Sequence, residues 1–125
     1  MIVDDEYDIL NILKQWLQLD GFNVRTFVDP LMALEHFNSN FKHYNMVISD
    51  IMMPHMNGYE FIRKVRGSSQ QVNIILMSSL EMEQDSELSR ILTDVDAGGF
   101  IQKPFSLEML RSTMLRCCSS TKIAP

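Results

Sequence analysis

The sequence predicts an α/β domain built on a doubly wound parallel sheet, and two observations lead to this fold class. Short apolar runs alternate with longer amphipathic stretches along the chain, and parallel strands need such crossover helices between them. The Ile-Ile-Leu-Met run within Asn73–Met77 is unbroken, which is typical of a strand that helices cover on both faces. A chain of 125 residues has the length of about one domain.

Five strands are predicted, each from a short apolar run that stops at a polar or turn-forming residue. The natural arrangement for five strands and five helices is a flavodoxin-like (βα)5 single domain with strand order 2-1-3-4-5 and right-handed crossovers. The predicted strands are Met1–Val3, Phe22–Phe27, Met46–Ser49, Asn73–Met77 and Gly98–Ile101.

The helices are predicted from apolar residues at helical spacing and from residues that begin or end a helix. Asp29 before Pro30 indicates an N-cap and a first helical position, and Ser106 can cap the last helix. Asn57-Gly58 indicates a turn before the third helix. The predicted helices are Glu6–Leu19, Pro30 to about Asn38, a helix containing Phe61–Val65 that ends near Gly67, Glu81–Leu92 and Leu107–Leu115.

The composition excludes several classes of protein. The net charge is −5, which argues against nucleic acid as the main partner because phosphate contacts require clustered Lys and Arg. No apolar stretch reaches the length of a membrane span, and the pattern of a secretory signal is absent. The adjacent Cys117 and Cys118 are expected to be reduced thiols, so we expect a cytoplasmic protein.

One domain is expected over residues 1–118, followed by a flexible tail over residues 119–125. We see no internal repeat and no linker. No DNA-binding or catalytic output segment is expected after residue 118, so an output would run through a partner, a second copy of the chain, or a further part of a longer protein.

Two predicted strands end on acidic side chains. The run Met46–Ser49 is followed by Asp50, and Met1–Val3 is followed by Asp4, Asp5 and a glutamate. Ligands of such sheets bind at the carboxyl ends of the strands, so these carboxylates are expected to meet there. A cluster of carboxylates requires a cation.

These motifs resemble the receiver domain of two-component response regulators over nearly the whole chain. The matching residues stand in order at the ends of predicted strands: Asp4-Asp5-Glu6, the stretch from Asp50 to Glu60, Ser78, and Lys103-Pro104-Phe105. Three features depart from the family pattern. The first strand is short, Asn57 stands where the family usually has Asp, and the 25 positions from Ser78 to Lys103 are a few more than the family commonly uses.

The resemblance implies that Asp50 is the phosphoacceptor and that Mg²⁺ lies beside it. Asp5, Asp50 and the backbone carbonyl of Met52 are the implied direct ligands, with Asp4 acting mainly through water; hard oxygen ligands and several waters suit Mg²⁺. A carboxylate is a weak nucleophile, so the reaction depends on charge neutralisation and in-line positioning. Asp4 and Asp5 can instead serve only as acids at a helix start.

Three further residues receive roles from the resemblance. Lys103 is implied to pair first with the active carboxylate and then with the phosphoryl group, and its bond to Pro104 is expected to be cis. Ser78 is implied to donate to a phosphoryl oxygen, although Ser79 competes for this role. Phe100 is implied to be the switching aromatic, or else a static core residue.

The implied function is a phosphorylation-dependent signalling switch rather than an enzyme. The expected phosphoryl donor is a sensor histidine kinase or a phosphotransfer protein. The expected output is a downstream protein partner, an output domain, or a homodimer formed through the fourth helix, fifth strand and fifth helix. Met52 and Leu80 are both apolar, so little would position an attacking water, and slow self-dephosphorylation is expected. His55 is interpreted as an exposed loop residue.

Three alternatives remain open. A phosphohydrolase of the haloacid dehalogenase type also uses an aspartyl phosphate, but it pairs the nucleophile with an acid two residues later, where this chain has Met52. A flavodoxin-like electron carrier would need a hydroxyl- and glycine-rich phosphate loop after the first strand, where this chain has acids. An unphosphorylated docking domain would not need the intact acidic set.

Overall fold

The computed structural model describes residues 1–79 and 86–119, and five parallel strands form its single sheet. Met46 pairs with Asn73 at the start of the two longest strands, and Asp50 pairs with Met77 near their ends. The strand order 2-1-3-4-5 confirms the prediction. The strands are β1 (Ile2–Val3), β2 (Thr26–Phe27), β3 (Met46–Asp50), β4 (Asn73–Ser78) and β5 (Gly99–Gln102).

Five α-helices connect and follow the strands, and their predicted caps are present. The side chain of Asp29 accepts from Leu31 N at 2.9 Å, and Ser106 Oγ accepts from Met109 N at 3.1 Å. Within the described ranges no helix is both long and apolar enough to cross a bilayer. The helices are α1 (Tyr7–Leu19), α2 (Pro30–Asn40), α3 (Gly58–Ser68), α4 (Ser86–Asp94) and α5 (Leu107–Ser119), with a 3₁₀ turn at Phe41–His43.

Helices cover both faces of the sheet, as the unbroken apolar run of β4 predicts. Successive strand residues point to opposite faces. One face packs against α2, α3 and α4, and its fully buried residues include Val3, Phe37, Phe61, Ile74 and Leu76. The opposite face packs against α1 and α5, and its buried residues include Ile2, Leu13, Ile48, Ile75 and Leu110.

The second strand is shorter than predicted. The sequence indicates a strand over Phe22–Phe27, but only Thr26 and Phe27 pair with β1. The length of β2 is limited by its neighbour. β2 is an edge strand that pairs with β1 alone, and β1 contributes only Ile2 and Val3. A strand can be no longer than the ladder that its neighbour completes.

The fourth and fifth helices differ from their predicted bounds. The prediction of a helix at Glu81–Leu92 is correct in type, but α4 is Ser86–Asp94, and the predicted start lies outside the described residues. After α4 the backbone reverses through Asp96, whose φ is +52°. Helix α5 continues through Ser119, so it includes the first residue of the predicted tail, and residues 120–125 lie outside the described ranges.

Candidate functional site

Asp50 ends β3 at the centre of the sheet and is 4% exposed. The next residue continues the ladder, because Ile51 N donates to Met77 O at 3.0 Å. Ser49 Oγ donates to the Asp50 carbonyl at 2.9 Å, and Met52 N donates to Asp50 Oδ1 at 3.2 Å. The first two bonds fix the backbone at the end of β3, and the Met52 amide holds the side chain of Asp50 at the carboxyl edge of the sheet.

The acidic residues after β1 lie beside Asp50. Asp4 is fully buried; its amide donates to Phe27 O at 3.1 Å, and its Oδ1 accepts from Glu6 N at 2.9 Å. Glu6 is the N-cap residue of α1, without a side-chain capping bond. Asp4 therefore orders the turn into α1 while its second oxygen faces the site, so the helix-start and ligand interpretations are compatible.

Lys103, which follows β5, contacts the carboxylates of Asp4 and Asp50. Its Nζ lies 2.7 Å from Asp4 Oδ2 and 3.0 Å from Asp50 Oδ2, and 3.5 Å from Glu6 Oε1. Its own amide donates to Ser78 O at 2.7 Å, which continues the β4–β5 ladder to the edge of the site. The bond from Lys103 to Pro104 is cis, as predicted.

Burial and charge oppose each other in this cluster. Burial raises the pKa of Asp4, and the nearby Asp50 charge adds to this effect, while hydrogen bonds from Lys103 and the Glu6 amide offset part of it. For Lys103 burial lowers the pKa, but the hydrogen bonds and charges of Asp4 and Asp50 together outweigh burial and raise it. The lysine is therefore cationic at neutral pH and neutralises only part of the surrounding negative charge.

The arrangement fits a divalent cation with oxygen ligands. Carboxylate oxygens of Asp4, Asp5 and Asp50 all lie within 4.8 Å of one another. Asp5 is exposed whereas the other two are buried, so the cluster opens to solvent on one side, where coordinating waters have room. A small number of carboxylates with water on the open side is the ligand set that suits Mg²⁺. The ligand role of the Met52 carbonyl stays a prediction.

Gly58 allows the loop after Asp50 to fold back onto the end of β3. Its amide donates to Ile51 O at 2.7 Å. A Cβ atom at this position would lie 2.5 Å from Ile51 Cα and 2.4 Å from the Asp50 carbonyl oxygen, which backbone atoms cannot accommodate. Asn57 then starts α3 by accepting from Glu60 N at 2.9 Å.

The remaining predicted residues occupy the following positions. Ser78 ends β4 and is fully buried, whereas Ser79 follows the strand and is exposed. Phe100 is partly buried and packs against the α2–α4 face. His55 is exposed, as predicted, with a φ of +72°. The switch roles of Ser78 and Phe100 stay predictions, and Leu80 lies outside the described residues.

Three residues near the site received no role from the sequence. Glu6 was part of the acidic motif, but its contact with Lys103 spans 97 positions and has no local signal. Ser49 resembled any polar residue at the end of a strand. Gly58 had a signal, since Asn-Gly indicates a turn, but its close approach to Asp50 depends on how the chain folds back.

Comparisons with known proteins show which sequences and folds this chain resembles. A family model for the response regulator receiver domain matches residues 1–115. The response regulator SaeR of Staphylococcus epidermidis is 31% identical over 106 residues, which are 85% of this chain and 44% of SaeR. The chain thus spans less than half the length of this relative.

Solved structures share the fold. The chemotaxis protein CheY4 of Vibrio cholerae aligns with a TM-score of 0.82 at 30% identity, over 93% of this chain and 94% of CheY4. A chain of the CheX–CheY–BeF₃–Mg²⁺ complex from Borrelia burgdorferi aligns with a TM-score of 0.84 at 24% identity, over 97% of this chain and 87% of that chain. The second likeness concerns the fold alone.

Proposed function

This chain belongs to the family of response regulator receiver domains, and we propose that it is a switch set by phosphorylation of Asp50. It is a signalling domain and not an enzyme of substrate turnover. The proposed donor is the phosphohistidine of a sensor histidine kinase or of a phosphotransfer protein. The observation that carries the proposal is the meeting of Asp4, Asp50 and Lys103 within hydrogen-bond distance at one edge of the sheet.

Phosphoryl transfer to Asp50 needs positioning more than a base. A carboxylate oxygen of Asp50 forms a bond to phosphorus while the P–N bond of the donor breaks, and the imidazole nitrogen keeps the bonding pair. Asp50 is held for this step by the Met52 amide at one oxygen and by Lys103 at the other. Such positioning with charge stabilisation accounts for most catalysis of phosphoryl transfer.

Asp5 and Asp50 would hold Mg²⁺ directly and Asp4 mainly through water, with the carbonyl of Met52 as the further ligand taken from the family. The ion would supply positive charge for the incoming phosphoryl oxygens and reduce repulsion among the carboxylates. Asp4 is well suited to hold a water of the ion, because its side chain is already fixed by the Glu6 amide. Asp5, the exposed acid, would close the open side.

The modified carboxyl would bias a conformational change. A phosphoryl group brings about −1.5 to −2 charge and three acceptor oxygens. Lys103 would follow the new charge, Ser78 would donate to a phosphoryl oxygen, and Phe100 would move inward. The face formed by α4, β5 and α5 would then change, with the population shift limited by the difference in contacts between the two states.

This face is the proposed output surface. Its target would be a downstream protein, an output domain within a longer protein, or a second copy of the chain. The acidic net charge of −5 does not favour direct binding of the described domain to nucleic acid.

Acetyl phosphate with Mg²⁺ tests the proposal directly. Intact mass should show one added phosphoryl group on the wild type and none on Asp50→Asn. Asp8→Asn is the matched control, because Asp8 is an exposed acid in the first turn of α1 and should leave labelling unchanged. Labelling of Asp50→Asn, or no labelling of the wild type by any small phosphodonor, would refute the assignment.

The phosphorylated form is proposed to lose its phosphoryl group slowly. Met52 is 58% exposed beside the site, and its thioether is a poor partner for an attacking water. Decay of the labelled species should be followed by mass after Mg²⁺ and phosphodonor are exchanged away and Mg²⁺ is restored. A half-life of seconds would contradict this expectation, and Met52→Asn or Met52→Asp should shorten it.

A further inference from the structure

Three methionine side chains in the described part of the chain are open to solvent, and one of them closely follows the proposed phosphoacceptor, Asp50. Met32 on α2, Met52 in the loop after β3 and Met109 on α5 are 62%, 58% and 51% exposed. Four other methionines lie in the core and are no more than 7% exposed: Met1, Met56, Met77 and Met114. A reagent in solution therefore reaches Met52 directly, but it reaches the core methionines only when the fold opens.

The backbone of Met52 is held against the carboxylate of Asp50. Its amide donates to Asp50 Oδ1 at 3.2 Å. The next residue, Met53, is partly buried and packs against the α2–α4 face, so the loop is anchored on each side of Met52. Only two methylene groups separate the Met52 sulfur from this backbone. The thioether is thus confined to the neighbourhood of the phosphoacceptor while it stays accessible to solvent.

A thioether in this position can be oxidised without placing a polar group in the core. Peroxides convert methionine to its sulfoxide. A lone pair of the sulfur attacks one peroxide oxygen, the O–O bond breaks, and the departing hydroxide takes up a proton to form water. The sulfur loses two electrons and gains an oxygen, while the peroxide is reduced. At a buried methionine such as Met77 the same change would cost stability, because an unpaired polar group would lie among packed side chains.

Oxidation changes what the Met52 side chain offers to a nearby water. A thioether sulfur is only a weak hydrogen-bond acceptor, whereas the sulfoxide is polar and its oxygen accepts readily. In hydrolysis of the phosphorylated form, the water oxygen bonds to phosphorus, the P–O bond to Asp50 breaks, the carboxylate keeps the bonding pair, and the water gives a proton to solvent. A water that donates to the sulfoxide oxygen keeps its lone pair free for this attack. One added hydrogen bond of ordinary strength corresponds to about a fivefold change in rate.

We propose that Met52 is a peroxide-sensitive modification site, and that its sulfoxide shortens the lifetime of the phosphoryl group on Asp50. This inference rests on the proposed function, since it concerns the phosphorylated form. Oxidation of the side chain leaves the amide and carbonyl of Met52 unchanged, so the bond to Asp50 Oδ1 and the proposed contact with Mg²⁺ persist. Methionine sulfoxide reductases reverse the modification. The domain therefore responds to two inputs at one site, a phosphodonor at Asp50 and an oxidant at Met52.

The first experiment maps the oxidation and needs no phosphodonor. The whole chain is treated with hydrogen peroxide for increasing times, the peroxide is removed with catalase, and peptide masses give the sulfoxide content at each methionine. Met52 and Met32 should react at similar rates, and both should react about tenfold or more faster than Met77, because exposure decides which thioether the peroxide meets. Oxidation of Met52 no faster than that of Met77 would overturn the proposal.

The second experiment compares phosphoryl lifetimes in three chains, each with and without peroxide treatment before labelling by acetyl phosphate with Mg²⁺. The half-life should be about fivefold shorter in the oxidised wild type than in the untreated one, and methionine sulfoxide reductases should restore it. Met32→Leu is the matched control and should show the same shortening, because it retains Met52. Met52→Leu should show no shortening, although it retains every other methionine and both cysteines.

Two results of the lifetime comparison would contradict the role of Met52. An unchanged half-life in the oxidised wild type excludes an effect of the sulfoxide, and an equal shortening in Met52→Leu assigns the effect to another oxidised residue. Labelling of the untreated wild type separates this proposal from the proposed function. No labelling there would refute both, whereas normal labelling with an unchanged half-life after oxidation refutes the role of Met52 alone.

Discussion

At the scale of single residues, the loop after Asp50 depends on Asn57, which caps α3, and on Gly58, which packs closely against the backbone of β3. Asn57 departs from the aspartate that the family usually has, yet its side-chain oxygen still accepts from Glu60 N, because asparagine caps helices as well as aspartate does. No other residue type can take the place of Gly58 in the same way. Its Cα lies so close to the backbone of Asp50 and Ile51 that any side chain would displace the end of β3.

Replacing Gly58 by alanine should therefore destabilise the domain by about 1–3 kcal/mol, the usual cost of overpacking a filled site. It should also slow labelling of Asp50 by acetyl phosphate, because the phosphoacceptor shifts. Urea denaturation measures the first effect and intact mass the second. The control is Gly67→Ala in the same helix, where a Cβ would meet nothing within 4 Å.

Gly67→Ala should leave labelling unchanged and stabilise the domain by roughly 0.5–1 kcal/mol, as expected for alanine within a helix. Equal stability of the two variants would show that the close approach at Gly58 does not constrain the loop.

At the scale of elements, Arg66 connects the end of α3 with the turn between α4 and β5. Its guanidinium donates to the carbonyls of Val95 at 2.7 Å and Asp96 at 3.1 Å, and to those of Val72 at 2.8 Å and Ser69 at 3.2 Å. Burial lowers the pKa of Arg66, but an arginine remains charged in proteins. One side chain thus serves backbone acceptors from two separate segments, which a shorter residue cannot reach together.

Arg66→Gln should cost about 1–3 kcal/mol of unfolding free energy, since the part-buried carbonyls of Ser69, Val72 and Val95 lose their charged donor. In this variant the amides of residues 95–98 should exchange with solvent faster than in the wild type, and their exchange should rise more than that of the β3 amides. Arg63→Gln, an exposed position in the same helix, should change stability by no more than about 0.5 kcal/mol. Matching losses in the two variants would rule out a specific role for the Arg66 bonds.

A second link between elements joins the end of α1 to α5. Asp20, directly after α1, accepts two hydrogen bonds from the guanidinium of Arg111, and this partner lowers the pKa of Asp20. A lowered folded-state pKa stabilises the fold above the unfolded pKa of aspartate, about 3.9. The contribution is lost as the pH falls through the lowered value.

Wild type should accordingly unfold at a higher temperature than Asp20→Asn at pH 7, by a small margin because the pair is exposed. The margin should shrink from about pH 4 downward and also shrink in high salt. In the Arg111→Gln background, Asp20→Asn should have no such effect. If the difference in unfolding temperature persists unchanged below about pH 4, the carboxylate charge of Asp20 is not its source.

At the scale of the whole molecule, the two ends of the sheet have separate chemistry. The carboxyl end brings together acids from the ends of β1 and β3 and a lysine that follows β5, while the amino end borders a groove lined by Val24, Tyr44 and Met46. The parallel arrangement causes this separation, because all strands present their carboxyl ends on one side. A ligand bound at the carboxyl end should raise the stability of the entire domain through linkage.

Mg²⁺ should stabilise the wild type by about 2.7 kcal/mol at a concentration a hundredfold above its Kd. Thermal unfolding with and without the ion measures this effect. Asp5→Asn should abolish most of the gain, because it removes one ligand while leaving the Lys103 contacts with Asp4 and Asp50 in place. A full Mg²⁺ effect in Asp5→Asn would remove this residue from the proposed ligand set.

The sequence by itself determined the order of the elements and the edge of the sheet where the acids meet. Apolar runs that stop at Asp4 and Asp50, with amphipathic stretches between them, suffice for this, because strand direction and side-chain period are local properties. Helix starts at Asp29 and Ser106 were predictable for the same reason. A capping side chain bonds amides only two or three residues away.

Only the tertiary structure decided the length of β2, the contact between Glu6 and Lys103, and the close approach of Gly58 to Asp50. Each depends on which distant segment becomes a neighbour. A ladder ends where its partner strand ends, and an ion pair forms where two chain segments meet. Local sequence patterns do not predict these contacts, because the free energy of each contact depends on both of the segments that form it.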